Sequence, residues 1–276
     1  MKVTVSKRLI ISNNSPSNPN FYPLSLKEVV ALNPNTSKVM QLQIIKNNKA
    51  NELKFLALND GISPMVQKKL YEKKIQEVNI SLIKAGNFDD SLIDEFLKDD
   101  VLKKELLKVV ELNDELFEKI YKDLDEVSTI YLSSNETLST HMIETIFKKD
   151  IDNANINLLK NKNCPSDKIV EFLAKEDKVY NISIAHNESL NDEQFNKLFE
   201  LDDFDVNISL AHNISTPKKI LTALSKLQDR FINEVLCANT STPIGVLLQF
   251  QYDGGLKPII SNNDSFREFT RKNIGM

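Results

Sequence analysis

"NISIAHNESLNDEQFNKLFELDDFDVNISLAHNIST", from Asn181 to Thr216, says nearly the same thing twice: NISIAHN begins at Asn181 and NISLAHN at Asn207, 26 residues later. Self-similarity at a fixed interval of roughly 20–50 residues marks a repeat architecture and overrides any local reading of the fold. Stepping by the same interval finds NINLLKN at Asn155, TIYLSSN at Thr129 and NEVLCAN at Asn233. Further back lie KELLKVV, one residue after Lys103, then NISLIKA at Asn79, LKFLALN at Leu53 and KEVVALN at Lys27. A last unit, KPIISNN, begins at Lys257. Ten units therefore start at 27, 53, 79, 103, 129, 155, 181, 207, 233 and 257; two spacings are 24 and the other seven are 26.

Positions inside the unit have distinct physical jobs. The fourth is always a large aliphatic residue: Val30, Leu56, Leu82, Leu106, Leu132, Leu158, Ile184, Leu210, Leu236 and Ile260. The fifth is small in seven units (Ala31, Ala57, Ser133, Ala185, Ala211, Cys237, Ser261), as close packing of one helix on another requires. The seventh is Asn in eight: Asn33, Asn59, Asn135, Asn161, Asn187, Asn213, Asn239 and Asn263. Asn tolerates the left-handed conformation that ends a helix, and its side chain can bond the freed backbone groups. The first segment thus reads as a helix of about two turns stopped by a capping Asn.

A second segment opens on Thr216-Pro217, Thr242-Pro243 or Cys164-Pro165, where Pro suits the first helical position, or on acidic starts such as SLNDE at Ser189. Apolar residues then recur at three- and four-residue steps, as in Phe195/Leu198, Leu221/Leu224 and Leu247/Phe250. That is one face of an amphipathic helix of roughly three turns. An Asp-rich turn such as Asp202-Asp203 leads into the next unit.

A helix pair of this size cannot bury both apolar faces alone, and stacking on neighbours buries them. The fold expected is all-α: an α-solenoid of about ten two-helix repeats, each 24–26 residues long. It should form one continuous domain over 27–276, with residues 1–26 as a degenerate N-terminal cap. The stretch FREFTRKN supplies a polar outer face for the C-terminal cap.

The run Val206-Asn207-Ile208-Ser209-Leu210-Ala211-His212-Asn213, followed by Ser215-Thr216-Pro217, resembles the leucine-rich repeat variant family; ALNPNTS at Ala31 is similarly close. The resemblance covers about 27–276 as a class of repeat, and it implies a superhelix of alternating longer and shorter, partly 3₁₀, helices. The chain departs from that pattern in lacking an Arg after the Val and in having no cysteine cluster of the kind some members use for an iron–sulphur centre. No cofactor is expected.

Composition fits a globular protein, and no apolar run approaches the roughly 18–20 residues of a membrane helix. The apolar stretch near the start is too short for a secretory signal, so a cytoplasmic location is expected. Heavy use of Asn, Lys and Ile points to an AT-rich, bacterial genome. Cys164 and Cys237 stand far apart and read as buried free thiols. His186 and His212 hold one position in adjacent units; with Lys160 and Ala238 on either side in register, they read as structural or surface residues, not as a metal site. No nucleophile elbow, phosphate-binding glycine loop, calcium loop or zinc motif is present, so no catalytic residue is named.

Charge is the remaining functional signal. Residues 1–84 carry 13 Lys+Arg against 5 Asp+Glu, a net of +8, whereas residues 85–126 carry 6 against 14, a net of −8. A basic-to-acidic switch along stacked repeats fits a protein-interaction scaffold without enzymatic activity, its partner another protein. Asp89, Asp90, Asp94 and Glu95 are the acidic candidates for partner contacts. Lys68, Lys69, Lys73 and Lys74 are the basic ones, and would serve the alternative of nucleic-acid binding. The acidic centre and the scarcity of arginine count against that alternative, and a helical-repeat enzyme ranks third.

Overall fold

The computed structural model describes residues 24–86 and 88–274, so the 1–26 cap expectation falls almost wholly outside the described residues. The chain is an all-α repeat solenoid, with no strand among the described residues. Its contacts divide at 137/138 into two compact units.

In unit 1, α1 (Leu26–Leu32) and α2 (Lys38–Asn47) form the first pair, followed by α3 (Ala50–Ala57) with α4 (Pro64–Tyr71). Next come α5 (Gln76–Ala85), a 3₁₀ turn at Asp90–Leu92, the single-turn α6 (Ile93–Phe96), α7 (Asp100–Val109), α8 (Asp114–Tyr121) and α9 (Glu126–Ser133). Unit 2 runs through α10 (Thr140–Phe147), α11 (Asp152–Lys160), α12 (Ser166–Leu173), α13 (Lys178–Ala185), α14 (Asp192–Glu200) and α15 (Phe204–His212). It ends with α16 (Lys218–Ser225), α17 (Arg230–Ala238), α18 (Ile244–Phe250), α19 (Lys257–Asn262) and α20 (Asp264–Ile274).

Helices carrying the repeated phrase form one layer in each unit: α1, α3, α5, α7 and α9 pack in succession, as do α11, α13, α15, α17 and α19. The second helices pack behind them. The fourth-position aliphatics from Leu56 to Ile260 are all buried, and Leu210 is fully so. Leu53, Leu56, Val66, Leu70, Leu82 and Phe96 share one apolar core in unit 1. Removing each such leucine side chain from water contributes on the order of 1.5–3 kcal/mol, which is why the fourth position admits nothing polar.

Second helices are shorter than expected. α4, α8, α10, α12 and α16 have eight residues each, about two turns. Both ends are trimmed. Pro165, Pro217 and Pro243 occupy the N-cap, one place outside the helix, with extended backbone. At the other end the chain turns through a left-handed residue at Asn48, Lys74, Asp150, Glu176, Asp202 or Gln228, with φ between 48° and 56°.

The seventh-position Asn does not adopt that conformation. Asn33, Asn161, Asn213, Asn239 and Asn263 have φ near −70° and extended ψ. The left-handed capping role is therefore corrected: these side chains tie one repeat to the one before. Asn213 Nδ2 donates to Ala185 O and Asn187 O, both at 2.8 Å, while its Oδ1 accepts from Ser215 N at 2.8 Å. Asn59, Asn187, Asn239 and Asn263 each repeat the double donation, at 2.7–3.1 Å. Carbonyls at a helix end lack intrahelical donors, and here the next repeat supplies them.

The two shortened repeats change this local chemistry. At the first, Ala85 stands in the seventh position and Gly86 ends α5 in the left-handed region, φ 65°. At the second, a turn follows α18, and Asp253 Oδ1 accepts from Gly255 N and Leu256 N. A side chain at Gly255 would meet the far end of Arg230, Nη2 at 2.4 Å, and that side chain would have to shift. Beyond the turn α20 packs on α18 and α19 through half-buried Phe266 and Phe269, leaving Arg267, Glu268, Arg271 and Lys272 outward, the polar face expected of the terminal stretch.

Candidate functional site

The acidic and basic candidates lie in the second layer of unit 1, where the engaged acids are held by their own turn, by Gln67 and Tyr71, or by Lys98 and Lys119. Asp89 caps the 3₁₀ turn by accepting from Ser91 N at 3.0 Å, and its own N–H donates to Gln67 Oε1 at 2.9 Å. The Ser91 bonds, helped by the charge of Lys68, hold the Asp89 carboxyl below its usual range. Asp94 pairs with Lys119 of α8 at 2.5 Å. Glu95 pairs with Lys98 at 2.5 Å, which lowers its carboxyl, and accepts from Tyr71 OH at 3.4 Å. Asp90 has no ion pair among the described residues.

Lys68 and Lys69 occupy the last turn of α4, where the helix dipole favours cations. Lys74 is the left-handed residue just beyond, and Lys73 is half-buried. The structure thus sets Asp89, at the start of the acidic cluster, beside Gln67 and Lys68 of the basic one.

His186 and His212 do stand side by side, ring centroids 6.0 Å apart and edge to face. Burial, then Lys160 and His212, lower the His186 imidazole below its ordinary value. No group of three or more His, Cys, Asp or Glu among the described residues could hold a metal ion. Burial, reinforced by Asp167 for Cys164 and by Asp253 for Cys237, pushes both thiols up to about 12, which leaves them poor nucleophiles.

Sequence reading missed a surface on the first layer. Val101 and Val127 in unit 1, and Val179 and Phe231 in unit 2, hold the same place in the first turns of α7, α9, α13 and α17, two residues before each unit start; Glu77, Asn153 and Asp205 hold it on α5, α11 and α15. They are 44–66% exposed. The signal was in the sequence, as apolar residues 26 or 52 apart, but only the packing tells which helix face is outward.

Around this row the polar groups differ between units. In unit 1, Lys108 Nζ lies 3.3 Å and Lys84 Nζ 3.9 Å from the Glu105 carboxylate. Lys104 and Lys108 lie 4.7 and 5.3 Å from the ring centroid of Tyr131. In unit 2, Lys178 bridges Asp203 and Asp205 at 3.1 and 2.6 Å, and Tyr180 OH donates to Asp152 at 2.8 Å.

No helix of the described residues is long and apolar enough to cross a membrane. The chain matches no family model, no curated protein and no solved structure.

Proposed function

We propose that this protein is a non-enzymatic interaction scaffold that binds another protein along the outward face of its first-layer helices. The observation that carries the reading is one exposed repeat position that is apolar at Val101 and Val127 in unit 1 and at Val179 and Phe231 in unit 2. Apolar side chains held in water at one repeat position give nothing to the core, and neighbouring ones such as Val101 and Val127 offer apolar contact to another protein. A nucleic-acid partner would favour a stripe of arginine and lysine without apolar members. The chain has only four arginines.

The resemblance to leucine-rich repeat variant proteins supports a repeat surface and supplies no activity. The test uses the immobilised full chain to capture a partner from lysate of the source organism, identified by mass spectrometry and then purified. Replacing Val179 and Phe231 with Ser should weaken that complex, with thermal unfolding unchanged. Reversing Asp89, Asp90, Asp94 and Glu95 should lower its salt dependence if the acidic cluster also contributes. Tight binding of duplex DNA with a steep salt slope, abolished by reversing Lys68, Lys69, Lys73 and Lys74, would overturn the proposal in favour of nucleic acid.

A further inference from the structure

We infer that the part of this face in unit 1 takes an acidic peptide segment carrying apolar side chains. This rests on the scaffold reading and deepens it by naming the partner's chemistry. Three successive first-layer helices contribute: Lys84 from α5, Lys104 and Lys108 from α7, and Tyr131 from α9. Contacts among these side chains, directly or through Glu105, make them one cluster. Two ammonium groups, of Lys84 and Lys108, share the Glu105 carboxylate, and Lys104 has no carboxylate partner among the described residues. The cluster therefore carries a surplus of two positive charges.

No other acid of these helices forms an ion pair with the cluster among the described residues. Glu77, Asp100 and Glu126 sit in first turns, where helix N-termini favour them, while Lys84 and Lys108 lie in the last turns. The face is thus graded, cationic towards the helix C-termini. Apolar contact is offered beside the charge. Val101 and Val127 are exposed 44% and 58%, three and four residues before Lys104 and Tyr131 respectively. A partner matched to both must present carboxylates and aliphatic groups on one segment. A phosphate backbone supplies the charge without the aliphatic groups.

Fluorescence anisotropy with the full chain tests this, using a labelled peptide of four Glu-Glu-Leu triplets as the probe. A Gln-Gln-Leu version and a duplex DNA serve as comparisons. The acidic probe should bind, and the Gln version should bind at least about tenfold more weakly, since each tenfold is only about 1.4 kcal/mol. The double change Lys104→Glu and Lys108→Glu should raise the Kd of the acidic probe at least about tenfold, and Val101→Ser with Val127→Ser about fivefold. Lys68→Glu with Lys69→Glu should leave it within about twofold, because both lysines sit on α4, a second-layer helix that contributes nothing to the cluster. Circular dichroism melting of each variant establishes that it is folded.

Equal binding of the acidic and Gln probes, or indifference to the Lys104/Lys108 change, overturns the inference. So does tighter binding of DNA at the same lysines. If the probe fails while the captured partner is still lost from the Val179/Phe231 variant, the acidic specificity is wrong and the scaffold reading stands. If both fail, both fall.

Discussion

Asn207 and Asn213, six residues apart, are the same residue type with opposite energetic roles. Asn213 satisfies two carbonyls of the preceding repeat and one backbone amide of its own turn. Asn207 belongs to a second row, with Asn79, Asn155, Asn181 and Asn233, whose buried Oδ1 atoms have no hydrogen-bond partner among the described residues. Asn213→Ala should therefore cost about 2–4 kcal/mol, since it strands buried backbone groups. Asn213→Gly should cost as much, because at φ −70° no left-handed backbone is relieved. Asn207→Leu should stay within about 1 kcal/mol of wild type in either direction, as an uncompensated acceptor is removed. Urea unfolding of the three variants decides; a neutral Asn213→Gly would restore the capping explanation. His186 gives a pH signature at the same scale. Its imidazole is held below the unfolded value of 6.5, so the unfolded chain binds the proton more readily. Its contribution is then complete above that unfolded value and diminishes as pH falls below it. His186→Gln should flatten the acid-side decline in Tm between about pH 7 and pH 5, by an amount that solvent screening keeps small. A decline as steep as in wild type would assign the acid sensitivity to other groups.

Among the turns that join the elements, glycine positions separate two kinds of constraint. A Cβ at Gly61 would lie 2.2 Å from Pro34 O in the preceding repeat, whereas one at Gly245, inside α18, meets nothing within 4 Å. Gly61→Ala should destabilise by about 1–3 kcal/mol, as overpacking does. Gly245→Ala should stabilise by about 0.5–1 kcal/mol through helix propensity. Thermal unfolding of the two reads both signs at once. The period, the helix pairs and the buried fourth position were legible because each recurs as a residue type. The left-handed turn was not, for its six holders are Asn48, Lys74, Asp150, Glu176, Asp202 and Gln228. No glycine marks it, and packing between repeats imposes the conformation that propensity alone does not announce. Threonine was misread for a related reason. Thr216 and Thr242 are not simply residues before a proline: their hydroxyls donate at 2.7 Å to Leu210 O and Leu236 O, closing the preceding helix. The charged candidates were legible as charge, but sequence distance does not tell the two layers apart. The exposed valines therefore emerge only once the first layer's outward face is known.

At the scale of the whole molecule, a solenoid is held by contacts between adjacent repeats, so energetic coupling should fade with distance along the chain. Leu82 and Leu210 hold the same fourth position in different compact units, and each is almost wholly buried. Leu236 is the equivalent residue on α17, which packs directly on α15. Each Leu→Ala change should cost about 2–5 kcal/mol, the transfer term plus the cavity it leaves. Where two changes share packing neighbours, relaxation around one cavity alters the cost of the other. The Leu210→Ala/Leu236→Ala pair should accordingly depart from additivity by about 0.5 kcal/mol or more. The Leu82→Ala/Leu210→Ala pair, in different compact units, should add to within about 0.5 kcal/mol. Double-mutant cycles by equilibrium denaturation measure both, with the single variants in the same buffer as controls. Coupling as strong for the distant pair as for the adjacent one would mean that the chain unfolds as one cooperative body and that nearest-neighbour contacts do not set its stability.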